Sequence, residues 1–302
     1  MVRIKMKKKT GNAIRISTSQ KIFDTINILF MFCFMILMLY PMYYVVVASF
    51  SSAARLMGHT GFLFSPLKFS TAAYKSVLNN SMIPTGYRNT LFIVIVGTLI
   101  NVTLTSFGAY FLSRKGQTIG KIVGLYILFT MFFSGGMIPI YLNVDSLGLT
   151  NKLWALIIPN AINTFYLFIM RTAFKGIPDS MEESAKLDGA HHLTILLRIY
   201  LPLSKAVIAV MVLYYGVDHW NSWFNAMLYI RDRTLYPLQL ILREILIAND
   251  TQFMVNLAVD AEMVAETIKY AVIVVVTVPV LCLYPFLQKY FVKGVMIGAI
   301  KG

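Results

Sequence analysis

Five stretches of this chain carry no charged side chain, at 25–54, 89–113, 122–144, 153–170 and 270–288. Each comes close to or exceeds the roughly 20 apolar residues that a helix needs to cross the hydrocarbon of a bilayer. A sixth apolar run, 199–217, is interrupted near one end by Lys205, whose long side chain can snorkel to the headgroups. Only 13% of the residues are charged and 58% are hydrophobic, whereas soluble domains usually hold about 25% charged residues. Together these predict an all-α, polytopic membrane protein with six transmembrane helices.

The basic residues set the expected orientation. Six spans put both termini on one side; with that side cytoplasmic, the inner segments hold 18 Lys and Arg and the outer segments nine. This bias follows the positive-inside rule. The expected organisation is a basic cytoplasmic tail over 1–24, a six-span region over 25–288 and a cytoplasmic tail over 289–302. Within the six-span region, segments 50–88 and 218–266 lie outside and a polar loop at 175–205 lies inside. The basic N-terminus MVRIKMKKKT precedes an apolar run that is too long for a signal peptide and lacks a small-residue cleavage site, so it reads as a retained first span. The net charge of +14 does not point to nucleic acid, because the bases flank hydrophobic runs instead of alternating with exposed aromatics. In the second outer segment, HWNSWFNAMLYIRDRTLYPLQLILREIL is semi-polar and aromatic. It reads as a half-inserted interfacial structure with Pro237 at a turn.

Several function classes lose support. None of the 13 acidic residues falls in the middle of a predicted span, whereas proton- and cation-coupled carriers generally keep an ionisable group near the midplane. No internal repeat is visible, which weakens a reading as a transporter built from inverted halves. The string GQTIGKI at 116–122 fails as a phosphate loop: its glycines are four apart instead of five, and Ile122 stands where Ser or Thr would hold magnesium. Cys33 and Cys282 lie inside apolar runs with no ligand pair nearby, so neither a disulfide framework nor a zinc site is expected. His191 and His192 are adjacent, and adjacent helical residues point about 100° apart. They read as two solvated or partner-facing side chains, not as metal ligands.

The segment GIPDSMEESAKLDGAHHLTILLRIYLPL breaks the apolar text with charge and glycine. Pro178 suits a first helical turn, and Ser180 with Glu183 has the spacing of a capping box. Met181, Ala185 and Leu187 form a short apolar edge, and Gly189 closes the helix or allows a turn with positive φ. Leu193, Leu196, Leu197 and Tyr200 then predict a second amphipathic helix ended by Pro202. Such a helix–turn–helix is far more than a connection between spans requires, and points to docking with a cytoplasmic partner.

ESAKLDGA followed by IYLPL resembles the EAA–DGA–LPL signature of the inner-membrane permeases of binding-protein-dependent ABC importers. The likeness extends to YRNT at 87–90, AYFLSR at 109–114, FFSGGMIPIYL at 132–142, LGLTNKLWALIIPN at 147–160 and YPLQLILREIL at 236–246. The tail FVKGVMIGAIKG resembles that of the smaller permease in carbohydrate-type heterodimers, and HWNSWFNAMLYI is similar to the subgroup importing oligosaccharides from complex polysaccharides. Coverage is about residues 87–302. Two positions depart from the pattern: Ser184 where Ala is usual, and Ala206 where Pro often follows LPL.

The resemblance implies a type I ABC importer fold with a cytoplasmic coupling helix, and no cofactor bound by this chain. It implies a second permease, two cytoplasmic ATPases that hold ATP and magnesium, and an extracellular or periplasmic solute-binding protein that delivers an oligosaccharide. It places the chain in the bacterial inner membrane. By that likeness Glu182, Glu183, Ala185, Asp188, Gly189, Ala190 and Pro202 form the ATPase-coupling element, and Gly298, Lys301 and Gly302 reach toward the ATPase interface. The residues themselves offer a polar face at Thr98, Asn101 and Thr105, a second at Asn160 and Asn163, and rings at Tyr166, Tyr214 and Tyr215. These suit either sugar contact along a translocation pathway or hydrogen bonding between helices of the bundle. An importer of the same kind for peptides or amino acids, and a membrane enzyme or scaffold, are the alternatives.

Overall fold

The computed structural model describes residues 17–114, 116, 118–247 and 267–282. Among these every regular element is helical, and a single β-bridge joins Ser51 to Phe69. The all-α expectation holds.

Helix α1 (Thr18–Ser49) is capped by Ser17, whose Oγ accepts from the Gln20 amide at 3.3 Å. Its side chains are exposed almost to its end, where Val47, Ala48 and Ser49 become buried. There the Tyr40 hydroxyl accepts from the Leu63 amide and Tyr43 donates to the Phe64 carbonyl. Two short helices, α2 (Ala53–Met57) and α3 (Ala72–Asn79), lead to α4 (Met82–Ser113), the central element. Along α4, Asn89, Ile93, Gly97, Asn101, Thr105 and Ala109 recur every four residues and all are buried. This row forms a ridge against which other helices pack.

The apolar runs predicted as single spans are broken more often than hydropathy suggests. Run 122–144 becomes α5 (Thr118–Phe132) and α6 (Met137–Ser146), which meet at 116°. The break falls at Gly135 and Gly136, and Gly136 takes φ +85, a conformation open chiefly to glycine. Run 153–170 is not one helix either. A 3-10 turn over Leu153–Leu156 gives way to an irregular stretch containing Pro159, and α7 (Thr164–Lys175) begins only after it. Proline has no amide hydrogen to continue the ladder.

After α8 (Asp179–Leu187) comes a helical stretch, α9 (His192–Leu203), that widens to a π-turn over Leu196–Tyr200. Pro202 therefore lies inside this helix and does not end it. Its ring would press on the carbonyl four residues back, at Arg198, which sits in the widened turn. The chain bends by 87° at Ser204 into α10 (Lys205–Trp220), so run 199–217 also spans a corner. The remaining helices are α11 (Trp223–Tyr229), a 3-10 turn (Arg233–Leu235), α12 (Leu238–Ile247) and α13 (Thr267–Cys282).

Among the described residues two helices, α1 and α4, are long and apolar enough to cross a membrane, or four if each bent pair forms one span. Cys33 and Cys282 are free and exposed. One core joins α4 to α12 and α13 through Ile83, Trp220, Leu238, Ile241 and Val272. A second gathers α4, α7, α9 and α10 around Tyr110, Met170, Phe174, Ile195, Tyr200 and Met211.

The segment from 218 onward is more enclosed than its composition suggests. Asp218 to Trp220 complete α10, and Trp220, Tyr229, Leu238 and Leu240 are buried. Asn89 on α4 donates to the Thr234 and Tyr236 carbonyls, and Thr90 accepts from the Leu238 amide. These bonds tie the segment to α4. Asn151, at φ +57, accepts from the Arg231 and Asp232 amides and joins this segment to the connection before α7.

Candidate functional site

Two arrangements concentrate the polar chemistry: a joint where α8 and α9 meet the end of α4, and a cleft along α7 and α10.

At the joint, α8 starts on Pro178 with no side-chain cap. Ser180 and Glu183 are both inside the helix, so the expected capping box does not form. Asp179 and Glu182 supply first-turn acids, which favour the positive end of the helix dipole. The far end matches expectation. The Gly189 amide donates to the Lys186 carbonyl, the Ala190 amide donates to the Ala185 carbonyl, and Gly189 takes φ +77. This pair of bonds is the Schellman termination.

Glu182 is buried within the chain, 8% exposed. Its carboxylate accepts from Tyr200 at 2.8 Å and pairs with Lys186 at 2.6 Å. Arg114, at the end of α4, lies 3.2 Å away, an ion pair by distance though its Nε is not aligned for a hydrogen bond. Burial alone would raise the Glu182 carboxyl. The bonds from Lys186 and Tyr200 and the charges of Lys186 and Arg114 outweigh it and hold the group below the usual carboxylate range. His192 turns into the same joint, 3.1 Å from the Tyr110 hydroxyl and 3.3 Å from Arg114. His191 stays exposed. No group of His, Cys, Asp or Glu able to hold a metal occurs among the described residues.

The predicted coupling residues thus divide. Glu182 points inward, Ala185 and Ala190 pack on the second core, and Gly189 makes the turn. Glu183, Ser184, Leu187 and Asp188 are exposed. The apolar edge is also rearranged: Met181 and Leu187 are exposed, as are Leu193 and Leu197, while Ile195, Leu196 and Tyr200 face the core. Ala185, Asp188 and Pro202 line a cleft of about 550 Å³ together with Ser180, Met181 and Arg198. Gly298, Lys301 and Gly302 lie outside the described residues.

Along α4 the predicted polar face exists, and it is buried. Asn101 donates to the Asn160 and Ala161 carbonyls at 2.6 and 2.9 Å, and its Oδ1 lies 2.7 Å from His219 Nε2. Thr105 and Tyr215 hydroxyls are 2.7 Å apart, and Tyr215 accepts from the Asn163 amide. Thr98 Oγ1 is buried with no hydrogen-bond partner. Asn101 and Thr105 therefore bond between helices. Asn163 also caps α7, accepting from the Phe165 and Tyr166 amides.

Asn160, Asn163 and Tyr215 do line a cleft of about 640 Å³. Tyr166 stands beside it, its ring tilted against Tyr214 at 5.2 Å between centroids, and donates to Asp218 at 2.9 Å. The cleft also includes Asp218, His219, Asn221, Ser222 and Asn225, which the sequence reading placed beyond the span's end. One signal was present in the sequence: Gly97, four residues before Asn101, leaves the space that the His219 ring fills.

No family model matches the chain. It is 39% identical over 284 residues, 93% of its own length and 99% of the relative's, to the polygalacturonan/rhamnogalacturonan transport system permease protein YtcP of Bacillus subtilis. It is 41% identical to Protein LplC of the same organism, over 93% of this chain and 96% of that one. Among solved structures, a chain of a bacterial ABC transporter involved in the import of the acidic polysaccharide alginate matches with a TM-score of 0.84 and 34% identity, over 91% of this chain and 99% of that one. A second alginate ABC transporter structure, in complex with a periplasmic protein bound to an alginate pentasaccharide, matches with a TM-score of 0.54 at 15% identity and shares the fold.

Proposed function

The chain belongs to the permease subunits of sugar ABC transporters, and on that premise we propose that it forms, with a second related permease, the pathway for ATP-driven uptake of an oligosaccharide. A solute-binding protein delivers the sugar from outside, as the periplasmic protein in the alginate transporter complex suggests by analogy. As a permease subunit the chain is a transport component and not itself an enzyme; two separate ATPases bind ATP and magnesium and do the hydrolysis. The observation that carries this reading is the near full-length likeness to an alginate importer permease.

Six spans, with both termini and α8 cytoplasmic and residues 50–88 and 218–266 outward, fit the bias of the basic residues. In this reading α1, α4, the bent pair α5 and α6, the stretch over 153–170 that leads into α7, α10 and α13 are the six spans, and α9 stays with α8 on the cytoplasmic side.

The α8–α9 joint is the coupling element. Its inner residues are saturated within the chain, which leaves Glu183 and Asp188 outward beside a cleft, available to an ATPase. Gly189 sets the direction of α8: a side chain there meets nothing within 4 Å but is strained by φ +77. In the complex of both permeases, the ATPases and the binding protein, Gly189→Val and Glu183→Lys should abolish substrate-stimulated ATP hydrolysis while the membrane bundle stays folded. Full stimulation in both variants removes the joint from the mechanism. Sugar transport by this chain alone in proteoliposomes refutes the proposal as a whole.

A further inference from the structure

The cleft along α7 and α10 is charged on one side only. Among the described residues that line it, Asp218 carries the sole formal charge, and no Lys or Arg joins it. His219 lines the same cleft, with its Nε2 2.7 Å from Asn101 Oδ1. The same cleft is lined by Asn160, Asn225 and Phe165. Tyr166 donates to Oδ2 of Asp218 at 2.9 Å, which fixes the carboxylate at the cleft while Oδ1 remains to accept from a ligand.

This set of groups matches a sugar ring that bears hydroxyls alone. Hydroxyl groups donate to a carboxylate and accept from amide N–H groups, and the C–H face of the ring packs on an aromatic plane. A uronate ring adds a carboxylate of its own. Two like charges in a site of reduced dielectric repel strongly, and no Lys or Arg among the described lining residues offsets them. We propose that this chain's part of the pathway passes neutral saccharide units and holds back uronate units, with Asp218 as the residue that sets the distinction. The inference rests on the oligosaccharide reading above. It separates this chain from the alginate importer, whose polymer is acidic.

The test uses the complete importer in proteoliposomes with its binding protein. The probes are a tetragalacturonide and its carboxyl-reduced form, which share linkages and length and differ in charge. Wild type should take up the reduced form about tenfold faster. Asp218→Asn, which keeps the shape and removes the charge, should narrow that ratio by about threefold or more. The binding protein is unchanged between the two, so a shift in the ratio belongs to the permease. Tyr166→Phe removes the donor but keeps the charge, and should leave the ratio where it was. Equal uptake of both probes by wild type, or a ratio unmoved by Asp218→Asn, overturns the charge assignment and leaves the oligosaccharide reading standing. Uptake of neither probe, nor of neutral oligosaccharides from arabinan and xylan, overturns the oligosaccharide reading and this inference with it.

Discussion

Two helices of this chain share a length and an apolar character and end in opposite surroundings. Helices α1 and α4 each run 32 residues, and their most apolar windows have mean hydropathies of 2.3 and 2.0. That window is 0% buried in α1 and 33% buried in α4. Apolar surface does not decide between them, because lipid tails are as apolar as a Leu side chain and offer no drive toward protein. The difference lies in small and hydrogen-bonding residues. Between Leu29 and Leu39, α1 has no side chain with a strong hydrogen-bonding group. Helix α4 buries Asn89, Thr90, Thr98, Asn101, Thr105 and Ser106, with Gly97 among them. In a bilayer such a row selects protein neighbours, while a purely apolar helix is left for lipid or for a partner subunit.

The sharpest way to break this comparison is to fill the gap on α4. A Cβ at Gly97 would stand 2.4 Å from His219 Nε2, and that ring cannot shift without losing its bond to Asn101. Gly97→Val should cost about 3 kcal/mol, read as a fall in the thermal midpoint of the detergent-solubilised complex. Phe30→Ala on the exposed face of α1 should change the isolated chain by less than about 0.5 kcal/mol. Equal losses from the two changes would mean that burial of α4 does not distinguish it.

Asn101→Leu tests the hydrogen bonds apart from the space. It strands two carbonyls and the His219 ring, and should cost about 1–2 kcal/mol by the same measurement. A neutral result would reduce the polar row to a by-product of close packing.

The smallest effect concerns the joint at the end of α4, for which α1 has no counterpart. The Glu182 carboxyl is held below its ordinary value, so its contribution is fully present above about pH 4.3, where the unfolded group ionises. That contribution is lost as pH falls through the lower folded value. Amide exchange in α8 should therefore accelerate only under strongly acidic conditions, while α4 stays protected. Glu182→Gln should expose α8 to exchange at neutral pH and flatten the dependence. Unchanged protection of α8 in that variant would show that the ion cluster does not hold it.

Much of this was legible in the sequence, and the gaps have physical causes. Apolar runs announced helices, and the spacing of Thr98, Asn101 and Thr105 announced the buried row. The same spacing did not say whether that row met sugar or another helix. Corners escaped detection because hydropathy registers composition and not backbone angles: Gly135 and Gly136 turn a run of 23 residues through 116° without adding one charge. Pro202 was legible as a disturbance but not as its kind, since a π-turn can absorb it inside a helix. Asp218 and His219 fell outside the candidate site because the span was drawn to end at Val217, while α10 continues to Trp220. The inward direction of Glu182 was not legible, because a signature reveals which positions matter and not which way they point.

The ion cluster at Arg114 has a mechanical consequence. Arg114 closes the same helix that carries Asn101, and 13 residues at 1.5 Å each put the two about 20 Å apart along one axis. No proline or break interrupts α4 between them. The helix is in effect a push-rod with a fitting at each end: an ion cluster that grips α8, and a hydrogen-bonded row that grips α10 beside the cleft. A rigid displacement of α8 taken up through Glu182 would meet no loop on its way along α4 toward His219.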